Sequence, residues 1–339
     1  MQKINRICIC GGGNLGLICA GIFLSNGIRV SLLTGKPNSW QKTIKVYDPN
    51  GKEFGGTIDL ISSEPKDVIP TADIVLLTIP GFLFESTLTA ICPYLNKETI
   101  VGSIVASTGF FFYAHEILGD KHSLFGFQRV PYIARQIEYG KVGELLGYKS
   151  HLSICIENYS KKEELKDELE KLFRTPILLL DNYLEVSLTN SNPILHTGRL
   201  YTLWKDYNGE VFEKPSLFYA DWDNEASSYL IKMDEEFQLL LRQLGIKNGI
   251  IPPLLEYYES TDADTLTKKI KSIPAFKSIQ TPMKKVGHGW IPDFNSRYFT
   301  EDIPFGLRFI YDLAKEHKIP TPTIDKVYEW GMRIIKEKS

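Results

Sequence analysis

Apolar residues come in short dense runs through the first half of this chain and at helical spacing through the second. The runs are residues 7–10, 28–33, 72–79, 100–105, 152–156 and 177–180, with helix-like patterns between several of them. Strands buried on both faces read this way, so the alternation predicts an α/β fold with a doubly wound parallel sheet. From about Tyr183 the period lengthens. Residues 226–244 carry apolar side chains at spacings of three and four and stop at Gly245; residues 303–317 and 323–335 repeat the pattern, the latter behind a Thr321-Pro322 start signal. The expected organisation is a Rossmann-like domain over 1–182 followed by a mainly α-helical domain over 183–339. In such a pairing the active site is expected in the cleft between the two.

The first run ends in Gly11-Gly12-Gly13-Asn14-Leu15-Gly16 and passes at once into apolar residues 17–24. Strand, glycine turn and helix start, in that order, make a dinucleotide site. Gly11 permits the tight turn, Gly13 has no side chain to hold a pyrophosphate off the backbone, and Gly16 lets helix and strand pack closely. The N–H groups of the opening helical residues, Asn14 and Leu15 among them, face the phosphates. Thr78-Ile79-Pro80-Gly81 and Ala106-Ser107-Thr108-Gly109 follow later strands, at the edge where ligands bind in open sheets. Ordinary turn chemistry explains both equally well; Pro80 is kept as a cofactor contact. The second strand ends in Leu33-Thr34-Gly35-Lys36, with no carboxylate for a ribose 2′-hydroxyl. Thr34 can donate to a 2′-phosphate and Lys36 can neutralise it, which favours NADP over NAD.

Composition narrows the field. With 339 residues, 43% of them hydrophobic, and a net charge of −2, the chain can bury a large core and has no basic excess for nucleic acid or anionic lipid. No stretch has the length and apolarity of a bilayer span, and Asn14 with the glycine cluster interrupts the early apolar region, against a signal peptide. Cys8, Cys10, Cys19, Cys92 and Cys155 fall at apolar positions without metal spacing, as core thiols of a cytoplasmic protein would.

A nicotinamide enzyme acting on a carbonyl or imine needs a proton donor and usually a cation for the substrate carboxylate. His115, His122, His151 and His317 stand in polar contexts and are expected to be exposed; His288 sits in a glycine loop. His196 is better placed, in Asn192-Pro193-Ile194-Leu195-His196. Pro193 either starts a helix behind an Asn192 cap or kinks a longer helix from near Tyr183. A packed helix histidine without chemistry fits the same residues.

That segment, together with Ser296-Arg297-Tyr298-Phe299-Thr300-Glu301-Asp302-Ile303-Pro304-Phe305-Gly306-Leu307, resembles the NAD/NADP octopine/nopaline (opine) dehydrogenase family. The resemblance implies that His196 and Asp302 form the catalytic pair and that Arg297 holds the carboxylate of a keto acid. Residues 128–135, ending in Arg135, are similar to a substrate-side loop of the family. The implied activity is reductive condensation of a 2-keto acid with the amine of an amino acid, using NADPH and no metal. The partners are then small molecules, with no nucleic acid and no membrane, and a homodimer is the candidate assembly. Without the resemblance, Asp302 also suits a helix cap and Arg297 a surface loop. The chain is short for the family, and Ala134 stands where some relatives carry cysteine, so the amino-substrate pocket does not transfer. Two rival readings stay open: a ketopantoate reductase-like or 3-hydroxy-acid enzyme working without an amine, and a non-catalytic dinucleotide-binding regulator.

Overall fold

Arg6–Cys10 forms strand β1, buried at every position after the first. The computed structural model describes residues 4–338, so the expected domain ends at 1 and 339 lie outside the described residues. Eleven further strands follow in the first half: β2 (Arg29–Leu33), β3 (Thr43–Tyr47), β4 (Glu53–Thr57), β5 (Leu60–Ser62), β6 (Ile74–Leu77), β7 (Ile100–Ser103), β8 (Leu124–Phe127), β9 (Tyr132–Glu138), β10 (Val142–Tyr148), β11 (Leu152–Glu157) and β12 (Ile177–Leu180). Eight of these twelve strands form one sheet in the order β12-β11-β8-β7-β6-β1-β2-β5. Its pairings are parallel except β11 with β8, so the expected doubly wound sheet carries one antiparallel seam.

The remaining four make a second sheet, β4-β3-β10-β9, that the apolar pattern does not announce. It explains the helix Asn14–Ser25, buried continuously from Gly16 to Phe23. A helix apolar on all sides needs cover on all sides. A side chain on Gly21 would begin 2.5 Å from Val46 of β3, and one on Gly143 of β10 would begin 2.5 Å from Leu17; the glycines set how closely this sheet and the helix approach.

The chain divides into two compact units between Thr189 and Asn190. The border expected at 182/183 falls ahead of a short helix, Tyr183–Ser187, which stays with the first unit. There the Tyr183 ring packs on His115, Phe111 and Phe112 at centroid distances of 4.8, 5.5 and 5.9 Å.

The second unit is built on the helices Asn192–Trp204, Asn224–Gln243, Arg308–Glu316 and Pro322–Lys338, with one hairpin, Met283–Val286 and Gly289–Pro292. Glu236 accepts hydrogen bonds from the N–H groups of Thr323 and Ile324, satisfying the start of the last helix. The helix expected over 303–317 is interrupted. Pro304 has no N–H to give, and Ile303–Leu307 forms a wide π-type turn with Phe305 at φ −119°, ψ 18°, before regular helix resumes at Arg308. No helix among the described residues is long and apolar enough to cross a membrane.

Candidate active site

Cys10 stands level with Leu33 on one side and Leu77 on the other. The segments that follow these three strands therefore open side by side, where β1 lies between strands reached in opposite directions. They surround a cavity of about 560 Å³ lined by Gly11, Gly13, Thr34, Lys36, Thr78 and Pro80, among others. Gly11 has φ +122°, a left-handed value that favours glycine. A side chain on Gly16 would begin 2.0 Å from the carbonyl oxygen of Gly11, whereas one on Gly13 would meet nothing within 4 Å. The contrast fits a dinucleotide: Gly16 closes the turn on the helix, and Gly13 leaves space for a pyrophosphate against the backbone.

Gly11, Gly13, Thr34, Lys36 and Pro80 thus reach the cavity together, while Asn14, Leu15 and Gly16 support the turn from behind. Asn14 Oδ1 accepts from the Gln136 N–H at 3.0 Å, Leu15 packs into the core, and Gly16 is buried. Gln136 also donates from its side-chain amide to the Gly12 carbonyl at 3.0 Å. Beside the end of β2, Thr34 Oγ1 and Trp40 Nε1 lie 2.8 Å, and the Tyr139 hydroxyl 3.2 Å, from where a side chain on Gly12 would begin. Trp40 Nε1 is buried without a hydrogen-bond partner, and Lys36 Nζ lies 6.0 Å from the Tyr139 ring centre. Gln136, Trp40 and Tyr139 have no signal in the sequence, because two of them come with the unannounced sheet and Trp40 from a loop.

In the second unit, Pro193 occupies the first turn of the helix Asn192–Trp204, with Ser191 rather than Asn192 in the cap position. No continuous helix runs in from Tyr183. His196, one turn further on, meets Asp302 just ahead of the Pro304 turn: His196 Nδ1 and Asp302 Oδ2 are 2.8 Å apart. Asp302 does hold the capping position of that turn, but its side chain makes no capping bond. Its carboxylate serves the histidine instead. An ionised carboxylate only accepts, so Nδ1 carries the proton and Nε2 is the exchangeable nitrogen. Nε2 lies 2.9 Å from the Tyr219 hydroxyl. The Tyr298 and Phe218 rings, 4.8 and 5.7 Å away, enclose the imidazole. A histidine oriented by a carboxylate and screened from bulk water can hold and return a proton.

Arg297 is on the same segment, but it faces outward. Its side chain is 84% exposed and forms an ion pair with Glu301, which raises the guanidinium's pKa. Arg135 is not on a loop. Residues 128–131 are irregular, but β9 begins at Tyr132, and Arg135 is exposed on that strand in the first unit. His115, expected to be exposed, is half-buried with Nε2 2.6 Å from Glu157, because the Tyr183–Ser187 helix covers it. His122 is partly buried too, and burial lowers its pKa. His151, His288 and His317 are exposed.

Residues 179–335 match the family model described as NAD/NADP octopine/nopaline dehydrogenase, alpha-helical domain, and residues 6–107 match NADP oxidoreductase, coenzyme F420-dependent. The opine dehydrogenase of Haliotis discus hannai is 29% identical over 367 residues, covering 97% of this chain and 90% of its own. The octopine dehydrogenase of Mizuhopecten yessoensis is 29% identical over 359 residues, with the same coverage of 97% and 90%. A solved structure of octopine dehydrogenase with NADH and L-arginine matches with a TM-score of 0.86 at 26% identity, over 98% of this chain and 90% of that one. Fold and relatives together define a nicotinamide-dependent oxidoreductase acting on CH–NH bonds. Residues 179–335 thus carry the alpha-helical domain of the octopine/nopaline (opine) dehydrogenase family, and the chain as a whole is similar to that family's opine and octopine dehydrogenases.

Proposed function

We propose that this protein reduces the imine formed between a 2-keto acid and the amine of an amino acid, giving an N-(1-carboxyalkyl) amino acid. The observation that carries the reading is the 2.8 Å bond between His196 Nδ1 and Asp302, an acid–base pair inside the helical unit. The dinucleotide, held by Gly11, Gly13, Thr34, Lys36 and Pro80, supplies the hydride. His196 protonates the oxygen that leaves as water and takes a proton back in the reverse direction; Asp302 fixes its tautomer and supports the imidazolium. Arg297 exchanges Glu301 for the carboxylate of the keto acid, and Arg135 offers a second cation on the substrate side. Thr34 and Lys36, with no carboxylate at the end of β2, favour NADP, although the octopine dehydrogenase relative is described with NADH. The five thiols suit the reducing cytoplasm, and a homodimer is the assembly to test by light scattering.

The deciding experiment follows NADPH and NADH oxidation by purified protein with a panel of 2-keto acids, each amino acid present or absent. Amine-dependent oxidation is expected. Oxidation independent of amine would replace this reading with a simple carbonyl reductase, and cofactor binding without turnover would replace it with a regulator.

A further inference from the structure

The nitrogen of His196 through which a proton must pass is already bonded to a neighbour. With Nδ1 committed to Asp302, exchange runs through Nε2, and 2.9 Å from Nε2 is the hydroxyl of Tyr219. A hydroxyl both donates and accepts, so it can pair with this nitrogen in either charge state of the ring. Toward neutral imidazole Tyr219 donates; toward imidazolium it accepts.

Tyr219 is held in place from several sides. It is 4% exposed, and its ring is stacked with Phe276, at 4.0 Å and 16°, and with Trp222, at 6.0 Å and 7°. The loop that carries it is tied down by Arg199, one turn after His196 on the same helix. Arg199 is 2% exposed and donates from Nε to the Phe218 carbonyl at 3.2 Å, from Nη2 to the Asp221 carbonyl at 2.6 Å, and from Nη1 to Asp223 at 3.0 Å. Asp223 in turn caps the helix Asn224–Gln243. One helix therefore fixes both partners of the Tyr219–His196 bond: it carries His196 itself and, through Arg199, ties down the loop that carries Tyr219.

We propose that Tyr219 is a third member of the acid–base unit, its hydroxyl carrying the proton between His196 Nε2 and the substrate oxygen. This rests on the assignment of His196 as the acid. In the forward direction the hydroxyl oxygen of the keto acid–amine adduct takes the phenolic proton while the phenol oxygen takes the proton of Nε2. The C–O bond breaks, water leaves, and the amine lone pair forms the C=N bond that the hydride then reduces. His196 ends neutral, with Nδ1–H still on Asp302, and is reprotonated from solvent. Burial raises the Tyr219 pKa, so the phenol releases one proton only as it accepts another, and both move in one step.

The test compares the full-length parent, Tyr219→Phe and His196→Asn. In single-turnover reactions run in H2O–D2O mixtures, the parent rate should curve with deuterium fraction, as expected for two protons in flight. Tyr219→Phe should lose about a hundredfold in rate, keep its keto-acid KM within about threefold, and show a linear dependence. A linear dependence in the parent overturns the relay even if the variant does not fold. So does near-parental turnover in Tyr219→Phe while His196→Asn is inactive. Near-parental turnover in His196→Asn instead removes the assignment of His196. Without any substrate, ¹⁵N NMR reads the same bond. The His196 Nε2 resonance, identified by its loss in His196→Asn, should move toward the unbonded imidazole value in Tyr219→Phe; an unmoved resonance overturns the proposal.

Discussion

Arg297 and Glu301 form a two-pronged ion pair one helical turn apart, Nε to Oε1 at 2.9 Å and Nη2 to Oε2 at 2.8 Å. A guanidinium held in this geometry is preshaped for another carboxylate. Arg297→Leu should raise the keto-acid KM by about tenfold or more, the usual worth of a charged hydrogen-bonded contact, with a smaller change in kcat. Glu301→Gln should lower the same KM by freeing the cation. Steady-state kinetics of both variants check this, and an unchanged KM in Arg297→Leu would leave Arg297 as a surface residue.

His196→Asn and Asp302→Asn should each lower kcat by about two to four orders of magnitude, the span of a positioned acid–base group. Cofactor affinity should stay within about twofold. Because the carboxylate acts through the ring, the double variant should be little worse than the poorer single one. Independent, multiplying losses would show that Asp302 works apart from His196.

Gly13 has φ −82° and ψ −172°, a backbone that any residue adopts, and open space beside it. Gly13→Val should therefore keep the fold, read by circular dichroism, while losing at least about a hundredfold in cofactor affinity by intruding where the pyrophosphate lies. Binding at parental strength would make the turn purely structural.

Lys36→Ala should weaken NADPH binding by about 1–2 kcal/mol and leave NADH nearly unchanged, since only the former carries the 2′-phosphate. Titration of both cofactors against parent and variant measures it. Equal loss for the two would assign Lys36 a role unrelated to that phosphate.

Asp234 is a buried carboxyl on the helix Asn224–Gln243 that accepts from the Leu254 N–H at 2.8 Å. Burial is the main cause that raises its pKa to about 6, well above its ordinary 3.8. The folded protein then binds more protons than the unfolded chain between these values, so this group's contribution to stability falls as pH rises through that window. Asp234→Asn keeps an acceptor for Leu254 without the buried charge. It should stabilise the protein at pH 7 by about 2 kcal/mol and leave stability at pH 4 nearly unchanged. Denaturant melts at the two pH values distinguish this from a uniform packing effect.

The central strands of the large sheet left the clearest trace in the sequence. The runs around Cys10, Leu33, Leu77 and Ser103 became β1, β2, β6 and β7, and the glycine turn followed from its position after the first. The second sheet left none, because β3 and β9 alternate with polar residues such as Lys45 and Gln136 and β4 contains Gly55 and Gly56. His196 and Asp302 stand 106 residues apart, and no periodicity connects them; only the family resemblance brought them together. Tyr219 had neither kind of signal. Its position depends on Arg199 and on ring stacking, which carry no repeat along the chain. The Arg297–Glu301 pair was available as a four-residue spacing, but spacing alone does not say that the guanidinium faces outward.

Gln136 gives the nucleotide turn a distant dependency. It bonds to Gly12 and Asn14 across 124 and 122 residues of chain, so a ribosome that has released only the first 107 residues has made every glycine of the turn but none of its brace. Contacts this remote in sequence close late, after the loop entropy between them has been overcome. Capacity to bind the dinucleotide should therefore emerge only once β9 and β10 have been synthesised and docked. A fragment ending at residue 107, where the first family match stops, should bind cofactor far more weakly than residues 1–189, even though it contains the whole fingerprint.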